Sequence, residues 1–322
     1  MRFVIYGVGA VGGTMAASLA LAGQEVVGIA RGGMLDAIRA GGLLLRTPLL
    51  EQRVEFACVG APAEIAFGAD DVIVLTMKSQ DTVAALQALR AAGVTDQAVV
   101  CAQNGINNER EALRLFPNVY AMTVMLPADY TIPGEVNCYA APKRGMLDLG
   151  RFPSGTGDAT GPLAGALEAA EFTVSVMPDV MRSKRGKLLE NLGNVIHAAL
   201  GSDVEIGPYY SRARAEGEAV LGAAGLDWLQ ILGNPRRAGV LELRPVSGAT
   251  RIGGSSNQSL VRGTGSIETD YLNGEIVLLG RLHGVPTPVN AWLAQLGQRL
   301  ARERRPPGSV SVAELERGLA GL

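Results

Sequence analysis

A two-part α/β fold is predicted, an N-terminal doubly wound parallel sheet followed by an all-helical domain, and three observations predict it. Short apolar runs alternate with helix-like segments through the first third of the chain, glycines cluster where the first run ends, and helical patterning takes over beyond about residue 180. A length of 322 residues suits two domains.

Taken in order, residues 3–6 form a short apolar run ended by Gly7. Residues 11–22 are helical in composition, and 25–30 make a second run containing Val26, Val27 and Ile29. This is a strand, helix, strand unit. The run DVIVLTM at 71–77 reads as a buried strand with 81–91 as its following helix, and 98–102 opens the next cycle. Between 119 and 176 the apolar pieces shorten and are broken by Pro127, Pro133, Pro142, Pro153 and Pro162, as expected of extra strands closing the sheet. The first domain is therefore expected over 1–179. Segments 181–200, 212–225 and 267–282 read as helices of a second domain over 180–322. Its tail, from 302, opens with Arg304-Arg305-Pro306-Pro307, which should stop a helix.

Composition excludes several classes. The balance of 29 Lys and Arg against 31 Asp and Glu lacks the basic excess of a nucleic-acid or anionic-membrane binder. Hydrophobic residues at 48% are too many for a disordered chain. Cys58, Cys101 and Cys138 lie too far apart in sequence for a metal-type pair or a disulfide framework, so no metal and a reducing cytoplasm are expected. The uncharged stretch 3–24 follows Arg2 as an export signal would, but glycines at 7, 9, 12, 13 and 23 interrupt it, so neither export nor a membrane span is expected.

Gly7-Val8-Gly9-Ala10-Val11-Gly12 fits G-x-G-x-x-G between the first strand and the first helix, the setting of a Rossmann-type dinucleotide turn. The glycines admit a tight turn and close approach of a pyrophosphate to the helix N-terminus. The second strand ends in Ile29-Ala30-Arg31, a cation where NAD sites usually carry a carboxylate. Arg31 suits a 2′-phosphate and hence NADPH, though a solvated surface arginine is the plainer alternative. Lys78 and Asn104 each follow a predicted strand and so belong at the carboxyl edge where such sheets bind ligands; a solvated lysine and an Asn-Gly turn are the bland readings.

Six ordered motifs, GVGAVG, Arg31, TMKSQDT, AQNGINNE, KLLEN and ETDYLNG, together resemble the ketopantoate reductase family over residues 1 to about 293. The resemblance implies NADPH-dependent reduction of a 2-keto acid, ketopantoate to pantoate first, a step of pantothenate biosynthesis. It implies Lys187 as general acid with Glu268 beside it, Asn191 and Ser256 holding substrate, Lys78 and Asn104 lining the nicotinamide side, and Ala128 touching the cofactor. A homodimer is a further expectation. The chemistry agrees, because hydride addition to a ketone makes an alkoxide that needs a proton donor or cation one hydrogen bond away. Lys187, Asn191 and Asn194 stand at i, i+4 and i+7 and would share one face of a helix, making Asn194 a further substrate candidate; such a stripe is also what a helix's wet side looks like.

Val195 stands where the family commonly has a second asparagine, and Gly253-Gly254 offer no side chain where another is expected. Both departures fall on the substrate side, so the reaction type is firmer than the keto acid. An opine-type or other 2-hydroxy-acid dehydrogenase is the competing enzyme, and a non-catalytic NADPH-sensing protein the competing class.

Overall fold

The computed structural model of the chain describes residues 1–201, 203–231, 235 and 239–322. Two compact units form: Met1–Asn104, Asn108–Ser183 and Gly233–Arg251 in the first, and Gly105–Asn107, Lys184–Leu232 and Ile252–Leu322 in the second.

The first unit begins β1 (Arg2–Tyr6), α1 (Ala10–Leu21), β2 (Glu25–Ile29), α2 (Gly32–Gly41), β3 (Leu43–Arg46), β4 (Glu51–Val54) and β5 (Ala57–Val59). It returns with β6 (Asp71–Leu75), α3 (Thr82–Ala91), β7 (Ala98–Cys101), α4 (Asn108–Leu113) and β8 (Val119–Met125). Then follow β9 (Ala128–Asp129), β10 (Glu135–Cys138), β11 (Ala140–Pro142), β12 (Gly145–Arg151), α5 (Thr160–Ala169), β13 (Phe172–Val176) and the start of α6 (Val180–Asn191). The main sheet runs in the order β13-β12-β8-β7-β6-β1-β2-β5, and only the β12–β8 pair is antiparallel among the described strands.

Why the central strands read as unbroken apolar runs is now plain, since both their faces are buried. Phe3, Ile5, Val72, Val74 and Val100 turn to one face, with Met15, Leu19, Leu163 and Leu167. Val4, Ile73, Leu75 and Val99 turn to the other, with Leu86, Leu89 and Phe116. Each such side chain contributes roughly 1.5–3 kcal/mol on burial. At the opposite end from the glycine turn, Arg2 donates from Nε and Nη2 to the buried Asp71 carboxylate at 2.9 and 2.6 Å, joining the first residues of β1 and β6. A second sheet, β4-β3-β10-β9, lies against α1, where Gly13 leaves no room for a side chain beside Val136.

The second unit holds the end of α6, then α7 (Asn194–Leu200) and α8 (Gly207–Ala223). Before its remaining helices, β14 (Leu241–Leu243) pairs antiparallel with β11 in the first unit's third sheet, a return that the sequence pattern did not indicate. The unit continues with α9 (Ser255–Arg262), α10 (Asn273–His283), α11 (Pro288–Arg302) and α12 (Val312–Leu319). Two predicted helices prove to be broken. Residues 181–200 divide at Leu192-Gly193, and 267–282 divide at Leu272, whose φ −116° and ψ −89° end a 3-10 turn over Glu268–Tyr271. Asn273 occupies the second break, donating from Nδ2 to Leu192 O at 3.1 Å and to Asn290 Oδ1 at 3.0 Å. The tail also packs: Gly308 N and Val310 N donate to the carbonyls of Ala198 and Ala199. No helix among the described residues is long and apolar enough to cross a membrane.

One carboxylate organises the helix contacts. Glu216 of α8 accepts from Val289 N at 2.8 Å and from Asn290 N and Nδ2 at 2.9 and 2.8 Å, so it caps α11 from outside that helix. Negative charge at a helix N-terminus is favourable and charge-assisted bonds are strong. Glu216→Ala should therefore lower unfolding free energy by about 1.5–3 kcal/mol, read from the urea midpoint.

Candidate functional site

Register builds the site in the first unit. Tyr6 pairs with Ile29 on one side and Leu75 on the other, and Leu75 pairs with Cys101. The four central strands therefore end level, and the turns that follow them carry Gly7, Arg31, Lys78 and Asn104 along one edge. The chain reverses its direction of winding at β1, which lies between β2 and β6, and open α/β sheets bind ligands at that point.

The glycine turn admits no side chain at Gly7 or Gly12. Gly7 adopts φ +105°, and a Cβ there would stand 2.7 Å from Met77 N. A Cβ on Gly12 would stand 2.3 Å from Gly7 O and 2.4 Å from Thr76 Oγ1, while that hydroxyl donates to Gly7 O at 2.8 Å. Gly9 is the N-cap of α1 and offers no side chain to its first-turn amides. A Cβ on Gly9 would be 3.6 Å from Tyr130 Cε1, an ordinary contact, and would stand in the space before the helix end. Val8 is buried and Ala10 and Val11 are half-buried, leaving backbone rather than side chains to face a ligand. A bare helix N-terminus with a cradle that side chains would fill fits a pyrophosphate. Ala128, at the start of β9, is buried and shares an apolar cluster with Ala10.

Arg31, the N-cap of α2, is 79% exposed, and its Nη2 lies 3.5 Å from Asp81 Oδ2. Beneath these charges the Tyr6 phenol is pushed up from its ordinary value by burial, an effect that Arg31 opposes and Asp81 reinforces. Lys78 and Asn104 are half-buried, on turns tied together by a buried polar network. In it Asn108 Nδ2 donates to Ser79 Oγ at 3.2 Å and Asn104 O at 3.1 Å, Thr82 Oγ1 donates to Asn108 Oδ1 at 2.8 Å, and Gln103 Nε2 donates to Thr82 Oγ1 at 3.0 Å. Sequence reasoning missed these four supports, although each lies within four residues of Lys78 or Asn104.

In the second unit, Lys187 and Asn191 share α6 one turn apart, Lys187 half-buried and Asn191 buried. Asn194 does not share their helix, because the chain breaks at Leu192-Gly193; its Nδ2 nevertheless donates to Asn191 Oδ1 at 3.3 Å. Glu268 is 4% exposed, and Ser255 Oγ donates to its Oε2 at 3.5 Å. Ser256, the residue singled out from sequence, is buried on the same helix turn. Gly253, with φ +107°, holds a backbone conformation that favours glycine, and the Gly254 α-carbon lies near Asn194, a Cβ there standing 3.7 Å from Asn194 Oδ1. Asn191, Asn194, Ser255 and Glu268 thus gather in one neighbourhood. His197 is half-buried, and burial pushes its imidazole down from its ordinary value.

A glycine turn of this geometry at the reversal point of a parallel sheet defines a dinucleotide-binding α/β protein. The sequence matches the family described as "Ketopantoate reductase PanE/ApbA" over residues 3–153 and its C-terminal domain over 192–301. It is 30% identical over 333 residues to a 2-dehydropantoate 2-reductase of Mesorhizobium japonicum, covering 94% of this chain and 99% of that one. A 2-dehydropantoate 2-reductase of Archaeoglobus fulgidus is 27% identical over 305 residues, covering 92% and 96%. Among solved structures, a PanE/ApbA family ketopantoate reductase from Ralstonia eutropha JMP134 superposes with a TM-score of 0.77 at 28% identity, covering 95% and 100%. D-mandelate dehydrogenase with NADH and anilino(oxo)acetate gives 0.78 at 21% identity over 94% and 99%, a likeness of fold. The chain belongs to the ketopantoate reductase family. It is accordingly an NADP-dependent oxidoreductase acting on CH–OH groups.

Closure of the turn onto its own backbone makes Gly12 the most restrictive position of the six. Gly12→Ala should weaken NADPH binding at least tenfold, the equivalent of about 1.4 kcal/mol, by isothermal titration calorimetry; unchanged affinity would contradict the turn geometry.

Proposed function

We propose that this protein reduces a 2-keto acid to a 2-hydroxy acid with NADPH, and that 2-dehydropantoate is the foremost substrate. When bound, the nicotinamide supplies the hydride. Gly7 to Gly12 receive the pyrophosphate on backbone amides, Arg31 takes the 2′-phosphate in its guanidinium fork, and Lys78, Asn104 and Ala128 serve the nicotinamide side. Lys187 donates the proton that the substrate oxygen needs as charge develops on it. Glu268 keeps that lysine charged and oriented, since a neighbouring carboxylate favours the ammonium form. Asn191, Asn194 and Ser256 hold the substrate's polar groups.

The observation that carries this reading is the polar cluster of the second unit. Glu268 and Asn191 are buried among helices, where polar groups need partners, and Lys187 stands one turn from Asn191 on α6, which supports grouping the three. The names of the two relatives support the substrate. Another 2-keto acid is the second reading, favoured by the departures from the family pattern at Val195 and Gly253-Gly254.

Two measurements test the proposal. Lys187→Ala should lower kcat for 2-dehydropantoate by about 10²–10⁴, the usual worth of a positioned acid, with the Kd for NADPH within about twofold. An unchanged kcat refutes the role, and no turnover of any keto acid by the unmutated protein would favour a sensor. Arg31→Ala should raise the Kd for NADPH by about tenfold or more while leaving that for NADH nearly unchanged, given that charge-assisted bonds to a phosphate are worth about 1.5–3 kcal/mol. Equal losses with both nucleotides would remove Arg31 from the 2′-phosphate site.

A further inference from the structure

Asp81 faces the cation that would read the 2′-phosphate. The turns after β2 and β6 flank the turn after β1 because Ile29, Tyr6 and Leu75 are in register. Arg31 on one flank and Asp81 on the other reach across that gap to 3.5 Å. Asp81 occupies the N-cap of α3, where aspartate ordinarily accepts from first-turn amides. Here its side chain makes no capping bond. The carboxylate is spent on Arg31 instead, and it is 43% exposed, so a ligand at Arg31 meets it directly.

We propose that Asp81 is a specificity-determining residue that moderates the preference for NADPH by competing with the 2′-phosphate for the Arg31 guanidinium. This rests on the reading of Arg31 given above. A phosphate dianion seated on Arg31 lies within a few ångströms of the Asp81 charge, and like charges at that range repel appreciably even in partial water. The 2′-hydroxyl of NADH carries no charge and suffers no such repulsion. Asp81 can accept a hydrogen bond from it, as carboxylates at this edge of dinucleotide sites do. One arginine would by itself favour the phosphorylated nucleotide strongly, and the opposing carboxylate brings the two closer.

Calorimetric titration of the whole protein separates the possibilities without relying on turnover. NADPH, NADH, 2′,5′-ADP and ADP are titrated into the unmutated protein, Asp81→Asn, Arg31→Ala and the double variant. Asp81→Asn should bind NADPH and 2′,5′-ADP about three- to tenfold tighter at low salt, with the gain shrinking as ionic strength rises. Binding of NADH and ADP should be unchanged or weaker, and the gain should vanish in the double variant. If Arg31→Ala discriminates between the nucleotides but Asp81→Asn gives no gain with 2′,5′-ADP, the inference about Asp81 fails and the Arg31 reading stands. If Arg31→Ala weakens phosphorylated and unphosphorylated ligands equally, both fail together.

Discussion

The turn between β1 and α1 depends on the close approach of the Gly12 α-carbon to the Gly7 carbonyl. No side chain fits between them, because a Cβ on Gly12 would overlap both that oxygen and the Thr76 hydroxyl. Helix α1 is thereby drawn close to the end of β1, and its unfilled N-terminus faces outward from the sheet edge. The neighbouring strands end at the same level because their pairing is in register from Arg2 to Tyr6. That register sets where the three further turns deliver Arg31, Lys78 and Asn104.

The second unit solves a different problem, which is to keep polar groups inside a bundle of helices. Asn191, Glu268, Asn273 and Asn290 are all nearly inaccessible. Asn273 and Asn290 bond each other and neighbouring carbonyls, filling the break before α10. That is structural use of buried amides. The cluster of Asn191, Asn194, Ser255 and Glu268 combines its amides with a carboxylate and a hydroxyl, and Asn191 stands one turn from Lys187 on α6.

Much of the first unit was legible because buried parallel strands announce themselves as apolar runs and the residue after each run must lie at the carboxyl edge. Gly7, Gly9, Gly12, Arg31, Lys78 and Asn104 could be placed by that reasoning alone. Asn194 could not: the i, i+7 spacing assumes an unbroken helix, and the break at Leu192-Gly193 leaves no mark that periodicity detects. The bond from Ser255 to Glu268 was equally out of reach, since the two lie thirteen residues apart, one on a helix and the other opening a 3-10 turn. Asp81 and the supports Ser79, Thr82, Gln103 and Asn108 are polar residues on turns, indistinguishable in sequence from solvated ones. Their partners lie some twenty to fifty residues away, and only folding reveals them.

The pairing of β14 with β11 has a consequence for how this chain can be divided. Residues 239–251 belong with the sheet unit although helices of the other unit precede and follow them in sequence. A fragment cut after Ser183 would lack that strand and bare the hydrogen-bonding edge of Ala140–Pro142, the kind of surface that promotes self-association. The nucleotide-binding half is thus not a cassette that a single cut can transplant; a chimera exchanging it must carry two separate stretches of the gene.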